Sequence, residues 1–535
     1  MTAATGSSSI DEPGSSMRHI LFRHGYDLAT AALALLFFVS ASGWALVMPA
    51  FSGPDETAHY NSVVRLLDGG GWPRPYDATY EQSTISALLE TGRTFRDQSL
   101  ERLPSPDDRS TLLGGGEWDE LATDYMVQHP PGYYVVVAAV VAAVGGGDLR
   151  WDHALMTMRM VSALLVAGAV PFIVGISRRV SGSRSAGIAG GAIVLFVPFV
   201  ANLAGYVSND SLLILGCSAS LYFAVRALDH AKRPLGLLAL SGVALGVALG
   251  TKGLALMLIP VVAVIAIAVA WKLTGWFRRI CAVALPLLIA FVIGGWWWLR
   301  NIVVLGKIQP SIYGRRTSSG SRHPDYDLSF FVEQAVYRLN STFWGRGARA
   351  DLALPEVTAI IAGTLLLTVV AVSVVFARRR LLLFVVWAFP LAILGVTLWN
   401  AHGIYWDLGS ASRGVQGRYV FAGIAAIASS MAVVFVAYLR FCWARGRAGG
   451  FALVLTLACG IMASWTALIW TTSRVWAGVS DASFSSGVPL IYYIAVPVTA
   501  ALVSVVLIVS ALSVTKLELS LRTATRRGRA ELYSR

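Results

Sequence analysis

The heptapeptide Pro54-Asp55-Glu56-Thr57-Ala58-His59-Tyr60 sets two adjacent carboxylates and a histidine directly after the first long apolar stretch. Carboxylate and imidazole are side chains of general acid–base work. Neighbours on a helix point about 100° apart, so Asp55 and Glu56 do not address one substrate atom as a symmetric pair. Asp55 and His59, four residues apart, share a face. The pattern suits a division of labour: one carboxylate contacts the reacting group while its neighbour positions a metal, a sugar or His59. The plainer reading is that Asp55 only caps a short helix over 56–68, stopped by Gly69-Gly70-Gly71. A single histidine argues against the HExxH zinc motif.

Five further polar groups sit at the ends of apolar stretches. His129-Pro130-Pro131-Gly132-Tyr133-Tyr134 opens a short apolar run, and its prolines also suit a plain helix start. Ser208-Asn209-Asp210-Ser211 has groups able to bind a ligand or to cap the following helix, while Lys252, after Thr251, either meets an anion or snorkels. In Trp296-Trp297-Trp298-Leu299-Arg300-Asn301 the tryptophans fit an interfacial belt. Arg413-Gly414-Val415-Gln416-Gly417-Arg418-Tyr419 places two arginines among glycines. Arginine makes bidentate phosphate contacts and glycine admits a close backbone approach; pairing with lipid phosphates is the alternative.

These groups need a scaffold, and the composition says which kind. The 535 residues are 56% hydrophobic and 14% charged, against about a quarter charged in soluble domains. Runs of about 20 apolar residues, the length of a membrane span, fall near 28–50, 156–176, 187–206, 211–228, 234–250, 253–271, 280–298, 357–377, 381–399, 418–438, 449–471 and 488–513. The expected fold is therefore an all-α polytopic membrane protein of about 12 spans. Two large external loops, 51–155 and 299–356, carry interfacial helices. The net charge of +13 collects between spans, at Arg178/Arg179/Arg184, Lys232/Arg233, Arg278/Arg279, Arg378–Arg380, Arg440/Arg445/Arg447 and the tail after Lys516. That is the positive-inside pattern. It puts both termini in the cytoplasm and makes membrane lipids, not nucleic acid, the partner of the basic residues. The division expected is a partly disordered 1–27, a catalytic module 28–440, further spans over 441–513 and a basic tail 514–535.

The run Tyr133–Val144 is short for a span and suits a helix lying in the interface. In the second loop Leu328, Phe331, Val332, Ala335, Val336 and Leu339 recur on one helical face, fit to lie on the membrane and roof a cavity. The four cysteines, Cys217, Cys281, Cys442 and Cys459, lie in or beside apolar stretches without CxxC spacing, so neither disulfides nor a zinc site is expected. No internal repeat is visible.

In order along the chain, PDE-x-x-H (54–59), H-P-P-x-Y-Y (129–134), N-D (209–210), T-K-G (251–253), W-x-x-R-N (297–301), F-W-G (343–345) and Q-G-R-Y (416–419) resemble a bacterial membrane-protein family of the GT-C superfamily of lipid-linked glycosyltransferases. More distantly the chain is similar to protein O-mannosyltransferases and the lipid A aminoarabinose transferase. One departure is Leu305-Gly306, where the family often has Tyr-Gly. The resemblance implies an inverting hexosyl or pentosyl transfer from a polyprenyl-phosphate donor to an extracytoplasmic glycan, lipid or protein, as in cell-envelope polysaccharide assembly. Its acidic motif falls on Asp55 and Glu56. Asp55 would be the base, and Glu56 a positioning residue or metal ligand. His59, His129, Tyr133, Asn209 and Asp210 would help orient substrates; Arg413 and Arg418 with Gln416 and Tyr419, and also Lys252 and Arg300, would hold the phosphate. Some superfamily members use a divalent metal such as Mg or Mn, and Asp55 and Glu56 would be its ligands here.

Two rivals share these features. A transporter or flippase of a lipid-linked sugar would bind the same phosphate, but such proteins place ionisable groups near the bilayer midplane. Here mid-span charges are scarce and the polar groups gather at one surface. A scaffold that has lost activity is the second, against which stands the intact acidic pair.

Overall fold

The computed structural model describes residues 13–75, 77–91, 109–114, 123–229, 232–310, 325–346, 352, 354–443, 448–475 and 491–533. Ten helices among them are long and apolar enough to cross a membrane: His24–Val47, Trp151–Ser181, Asp210–Leu228, Gly253–Ala270, Trp276–Leu305, Glu356–Phe376, Arg380–Leu408, Gly417–Phe441, Gly450–Val475 and Ile494–Glu518. A helix satisfies its own backbone polar groups, which hydrocarbon requires, and the chain is a multi-pass membrane protein.

The two remaining expected spans are modified. The apolar stretch near 187–206 is a bent pair, Arg184–Phe196 and Pro198–Ala204, meeting at 69°. The cause is Pro198: a residue preceding proline is driven out of the helical region, and Val197 sits at φ −109°, ψ 86°. The stretch near 234–250 is a 16-residue helix, Pro234–Leu249, about 24 Å long at 1.5 Å per residue. Gly132–Val144, of 13 residues, is too short to span. It buries Tyr133, Tyr134, Val137, Ala138 and Val141 while Val135, Val136, Val140 and Val144 stay exposed, as suits a helix in the interface.

At the amino terminus, helix extends from Pro13 to Val47, so the described part of the expected partly disordered 1–27 is helical; residues 1–12 lie outside the described residues. The last helix runs from Ile491 to Tyr533 and takes in most of the expected basic tail. The helix Leu328–Phe343 forms as its periodicity predicts, started by the Asp327 carboxylate accepting from the Ser329 and Phe330 amides. Its apolar stripe divides, however. Phe331 and Ala335 are buried against Ala401, Tyr405 and Val415, whereas Leu328, Val332 and Val336 are exposed.

Successive spans run up and down, so the end of His24–Val47, the starts of Trp151–Ser181 and Asp210–Leu228, the end of Pro234–Leu249 and the start of Gly417–Phe441 lie at one end of the bundle. The first loop forms a small core of its own there, in which Phe51, Tyr60, Val64, Leu88, Tyr134 and Trp151 are buried. Among the described residues, the basic clusters at Arg178/Arg179/Arg184, Lys232/Arg233, Arg278/Arg279 and Arg378–Arg380 lie between spans at the other end; Arg445 and Arg447 lie outside the described residues.

Candidate active site

The site is built on an ion pair sealed beneath it. Glu56 opens the helix Glu56–Leu67 and is 1% exposed, as is Arg159 of the span Trp151–Ser181. The guanidinium donates to both carboxylate oxygens, Nε to Oε1 and Nη2 to Oε2, each at 2.8 Å. It also donates to the carbonyls of Ala45, Met48 and Pro49, closing the last turn of the first span. Glu56 further accepts from the amides of Val207 and Gly53, both at 3.2 Å. The pair thus fastens the first loop to three transmembrane segments. Arg159 escaped the sequence reading, which held mid-span charges to be scarce. The signal was there, since an arginine inside an apolar run must find a partner.

Asp55, one residue earlier, turns the other way. Its backbone is left-handed, φ 60°, ψ 14°, and its side chain makes no capping bond to the helix it precedes. Aspartate enters this region more readily than most residues, at some cost in strain. The carboxylate accepts instead from the Tyr125 hydroxyl at 2.8 Å and from Arg418 Nη2 at 3.1 Å. Its side chain remains 36% exposed, against 8% for that of Arg418. Burial alone would push this carboxyl up, but the Arg418 guanidinium, His59 and the two hydrogen bonds outweigh burial and hold it at about 2.

Both partners are positioned from a distance. Asp124, next to Tyr125, is fully buried and accepts from Asn61, Ser62 and Arg65 of the same helix as Glu56. Arg418 lies in the tight turn Gly417–Gly423. The Gly417 amide donates to Thr342 Oγ1 at 2.6 Å, and a Cβ there would stand 2.2 Å from the Leu339 carbonyl oxygen. Only glycine lets the arginine loop lie this close to the helix Leu328–Phe343. Tyr125 and Asp124 were missed because an isolated aromatic in a loop has no periodicity or spacing to mark it.

Beside this pair lies a second. Lys252 Nζ donates to Asp210 Oδ1 at 2.6 Å and sits 5.4 Å from the centre of the Tyr419 ring. Lys252 is brought there by a close crossing in which the Gly132 amide donates to the Gly250 carbonyl at 2.8 Å; a Cβ on Gly132 would stand 2.4 Å from that oxygen. The same crossing places His129 in the site. His59 Nδ1 lies 2.9 Å from the Tyr134 hydroxyl, which also accepts from Asn209 Nδ2 at 3.5 Å. Burial, reinforced by Lys252, lowers His59 to about 4 and His129 to about 3, so both imidazoles are neutral at pH 7.

The structure therefore gathers Asp55, His59, His129, Asn209, Asp210, Lys252, Arg418 and Tyr419. It does not gather the rest. Tyr133 is buried, its hydroxyl 2.7 Å from Ser162 Oγ and accepting from the Ser208 amide, which makes it a strut under Asn209. Gln416 is half-buried at the start of the Arg418 turn. Arg413 is exposed, and Arg300 lies over the Trp297 ring and donates to Asn301. Neither shows a contact with the Asp55 cluster among the described residues.

A metal shared by Asp55 and Glu56 does not fit this donor set. Glu56 is saturated by Arg159 and two backbone amides, whereas each Asp55 oxygen accepts a single bond, from Tyr125 or Arg418, and faces away from Glu56. Among the described residues no three of His, Cys, Asp or Glu converge as ligands. The expectation that Asp55 and Glu56 share a metal is therefore at odds with the geometry: the two side chains diverge to different arginines.

Residues 140–316 match the family model for dolichyl-phosphate-mannose-protein mannosyltransferase. That stretch, about a third of the chain, contains the Asn209-Asp210, Lys252 and Trp297–Asn301 motifs. No curated protein matches by sequence. Among solved structures, ArnT from Cupriavidus metallidurans bound to undecaprenyl phosphate is similar at 17% identity and TM-score 0.46, over 91% of this chain and 76% of that one. The archaeal oligosaccharyltransferase AglB from Archaeoglobus fulgidus, in complex with an inhibitory peptide and a dolichol-phosphate, is similar at 10% identity and TM-score 0.41, over 83% and 55%. The S. cerevisiae Pmt1-Pmt2 protein O-mannosyltransferase complex bound to the sugar donor follows at 17% identity and TM-score 0.35, over 52% and 34%.

Proposed function

We propose that this protein transfers one sugar, a hexose or a pentose, from a polyprenyl-phosphate donor to a hydroxyl of an extracytoplasmic glycan, lipid or protein, with inversion. The observation that carries the reading is the Asp55–Arg418 pair. It is a carboxylate open on one side and backed by a buried guanidinium. Lys252 stands close by, at the end of the bundle opposite the basic clusters. A prenyl chain can stay in lipid there while its phosphate reaches two cations. The same placement, away from the bilayer midplane, weighs against a transporter.

Each step uses the chain's own side chains. The donor phosphate binds Arg418 and Lys252, which stabilise the charge growing on the leaving oxygen. The acceptor hydroxyl gives its proton to Asp55 as its oxygen attacks the anomeric carbon from the face opposite the phosphate. The anomeric carbon–oxygen bond breaks and polyprenyl phosphate leaves as an anion, needing no proton. At about 2, the resting carboxylate is ionised but weakly basic. A phosphate that draws Arg418 away removes the counter-charge and raises the proton affinity of Asp55 when the acceptor is in place. The donor thus prepares the base.

The test is transfer of label from radiolabelled polyprenyl-phosphate sugars in membranes carrying wild type or Asp55→Asn. Label reaching an acceptor with wild type alone supports the reading. Equal transfer by the variant removes Asp55 as base. No transfer from any donor, with labelled lipid still crossing the bilayer, replaces the transferase by a transporter.

A further inference from the structure

Around the Asp55 carboxylate, three planar side chains from three separate elements carry hydrogen-bonding atoms that no protein group meets. They are His129 Nδ1, Arg418 Nε and one arm of the Asn209 amide. All three residues are more than nine-tenths buried, at 8%, 8% and 0% exposure. The structure pairs Asn209 Nδ2 with Tyr134 and leaves Oδ1 unmet; turning the amide exchanges the two and still leaves one arm over. A lone serine or threonine hydroxyl in a helix rotates onto the carbonyl of its preceding turn. An imidazole, an amide and a guanidinium have no such recourse, and a buried polar group without a partner weakens the fold. His129 and Arg418 both lie within the field of Asp55 and Asp210, and Asn209 adjoins Asp210, so the three unmet groups border one polar cluster.

The chemistry of the three divides them. Arg418 is cationic and belongs to the phosphate. His129 and Asn209 are uncharged polar groups that both donate and accept, which is the complement of a sugar hydroxyl and a poorer match than a cation for an anionic phosphodiester. Both stand on the Lys252 side of the site. Asn209 precedes Asp210, which holds Lys252, and His129 follows the field of Lys252, His59, Asp210 and Asp55. The acceptor hydroxyl must meet Asp55 itself, so the sugar they face is the one attached to the phosphate. Resting on the transferase reading, we infer that His129 and Asn209 form a subsite that reads a hydroxyl of the donor sugar.

The test compares kcat/KM for a polyprenyl-phosphate sugar that wild type uses with its monodeoxy analogues, in wild type, Asn209→Ala and His129→Ala. At least one deoxy donor should fall by roughly tenfold to a hundredfold with wild type, the factor for one unmet buried hydrogen bond. The variant lacking the matching side chain should lose a similar factor on the full sugar and show no further loss on that deoxy donor. If wild type uses every deoxy donor within about twofold of the full sugar, the subsite is overturned, whether or not the variants fold. It is equally overturned if the two losses multiply in both variants. Failure of wild type to transfer any sugar sinks the transferase reading instead, a different result from transfer without discrimination.

Discussion

Asp55 and Glu56 are neighbours in sequence, each carboxylate meets an arginine from a distant part of the chain, and the two pairs are built to opposite ends. Around Glu56 every hydrogen-bonding position is filled, by Arg159 twice and by two backbone amides, and both partners are sealed from solvent. Around Asp55 two bonds are made, the outer side is open and the backbone is held in a conformation few residues adopt. A saturated buried pair has nothing left with which to bind a substrate, and it holds position. An unsaturated pair keeps an open carboxylate face and an arginine that an anion could draw off, which is what the proposed transfer asks of a base and a phosphate ligand. The fixed pair below supplies the footing on which the strained residue above is held.

The sharpest way to break this contrast is to remove one charge from each carboxylate. Asp55→Asn should lower transfer by roughly 10²- to 10⁴-fold, the span for a general base, with the thermal unfolding midpoint in detergent nearly unchanged. Glu56→Gln should leave Arg159 buried and uncompensated at about 3–5 kcal/mol, read as a large drop in that midpoint and in yield. Similar destabilisation by both would mean that Asp55 is as structural as its neighbour. The double variant Glu56→Leu/Arg159→Met carries the same contrast further. Replacing a whole buried pair by apolar groups is often tolerated, so much of the lost midpoint should return. A double variant no better than Glu56→Gln would show that the links from Arg159 to Ala45, Met48 and Pro49 matter more than the pair.

The arginines should separate along the same line. Arg418→Gln is expected to raise KM for the lipid-linked donor roughly tenfold to a hundredfold, the value of one charge-assisted hydrogen bond, while KM for the acceptor stays put. Unchanged donor dependence would take Arg418 out of the phosphate site. Arg413, exposed and outside the cluster, serves as the control that should change neither.

How much of this was legible in the sequence follows from what each feature is made of. Ten of the apolar stretches stand as helices of spanning length because the bilayer imposes length and composition together. The break at Val197 was signalled by Pro198 inside an apolar run, and was passed over because hydropathy does not register backbone restriction. Asp55, Lys252 and Arg418 stood out as polar groups at the lips of spans. The role of Glu56 did not, because its partner Arg159 lies about a hundred residues on and inside a stretch read only for hydrophobicity. Tyr125 was beyond reach for a similar reason: a long-range bond to one oxygen leaves no local trace. The second-loop helix was predicted on its correct stripe, yet only packing decided which half of that stripe meets protein.

Acid stability distinguishes the neutral imidazoles from the carboxylate. His59 and His129 sit at about 4 and about 3 in the folded protein, and near 6.5 when unfolded. Between those values the unfolded chain binds more protons, so stability falls as pH drops from about 6.5. His59→Gln should flatten that slope; an unchanged slope would mean the imidazole is already wet.

The smallest effect expected is also the one that tests the open side of Asp55 most directly. Tyr125 donates to the charged carboxylate, and removing that donor in Tyr125→Phe favours the protonated form. Asp55 is depressed, so its stabilising contribution is complete above the unfolded value near 4 and disappears as pH falls towards about 2. Losing one donor moves the lower edge of that window upward, and the acid limb of the kcat/KM profile should move up with it. Arg418→Gln, which removes a full charge, should move the limb further in the same direction. A Tyr125→Phe profile that loses height without shifting would make Tyr125 a packing residue only. A shift beyond that of Arg418→Gln would mean the hydroxyl, rather than the guanidinium, is what holds the carboxylate ionised. The open pair would then have to be redrawn around Tyr125, with Asp124 and Arg65 behind it as the true support of the base.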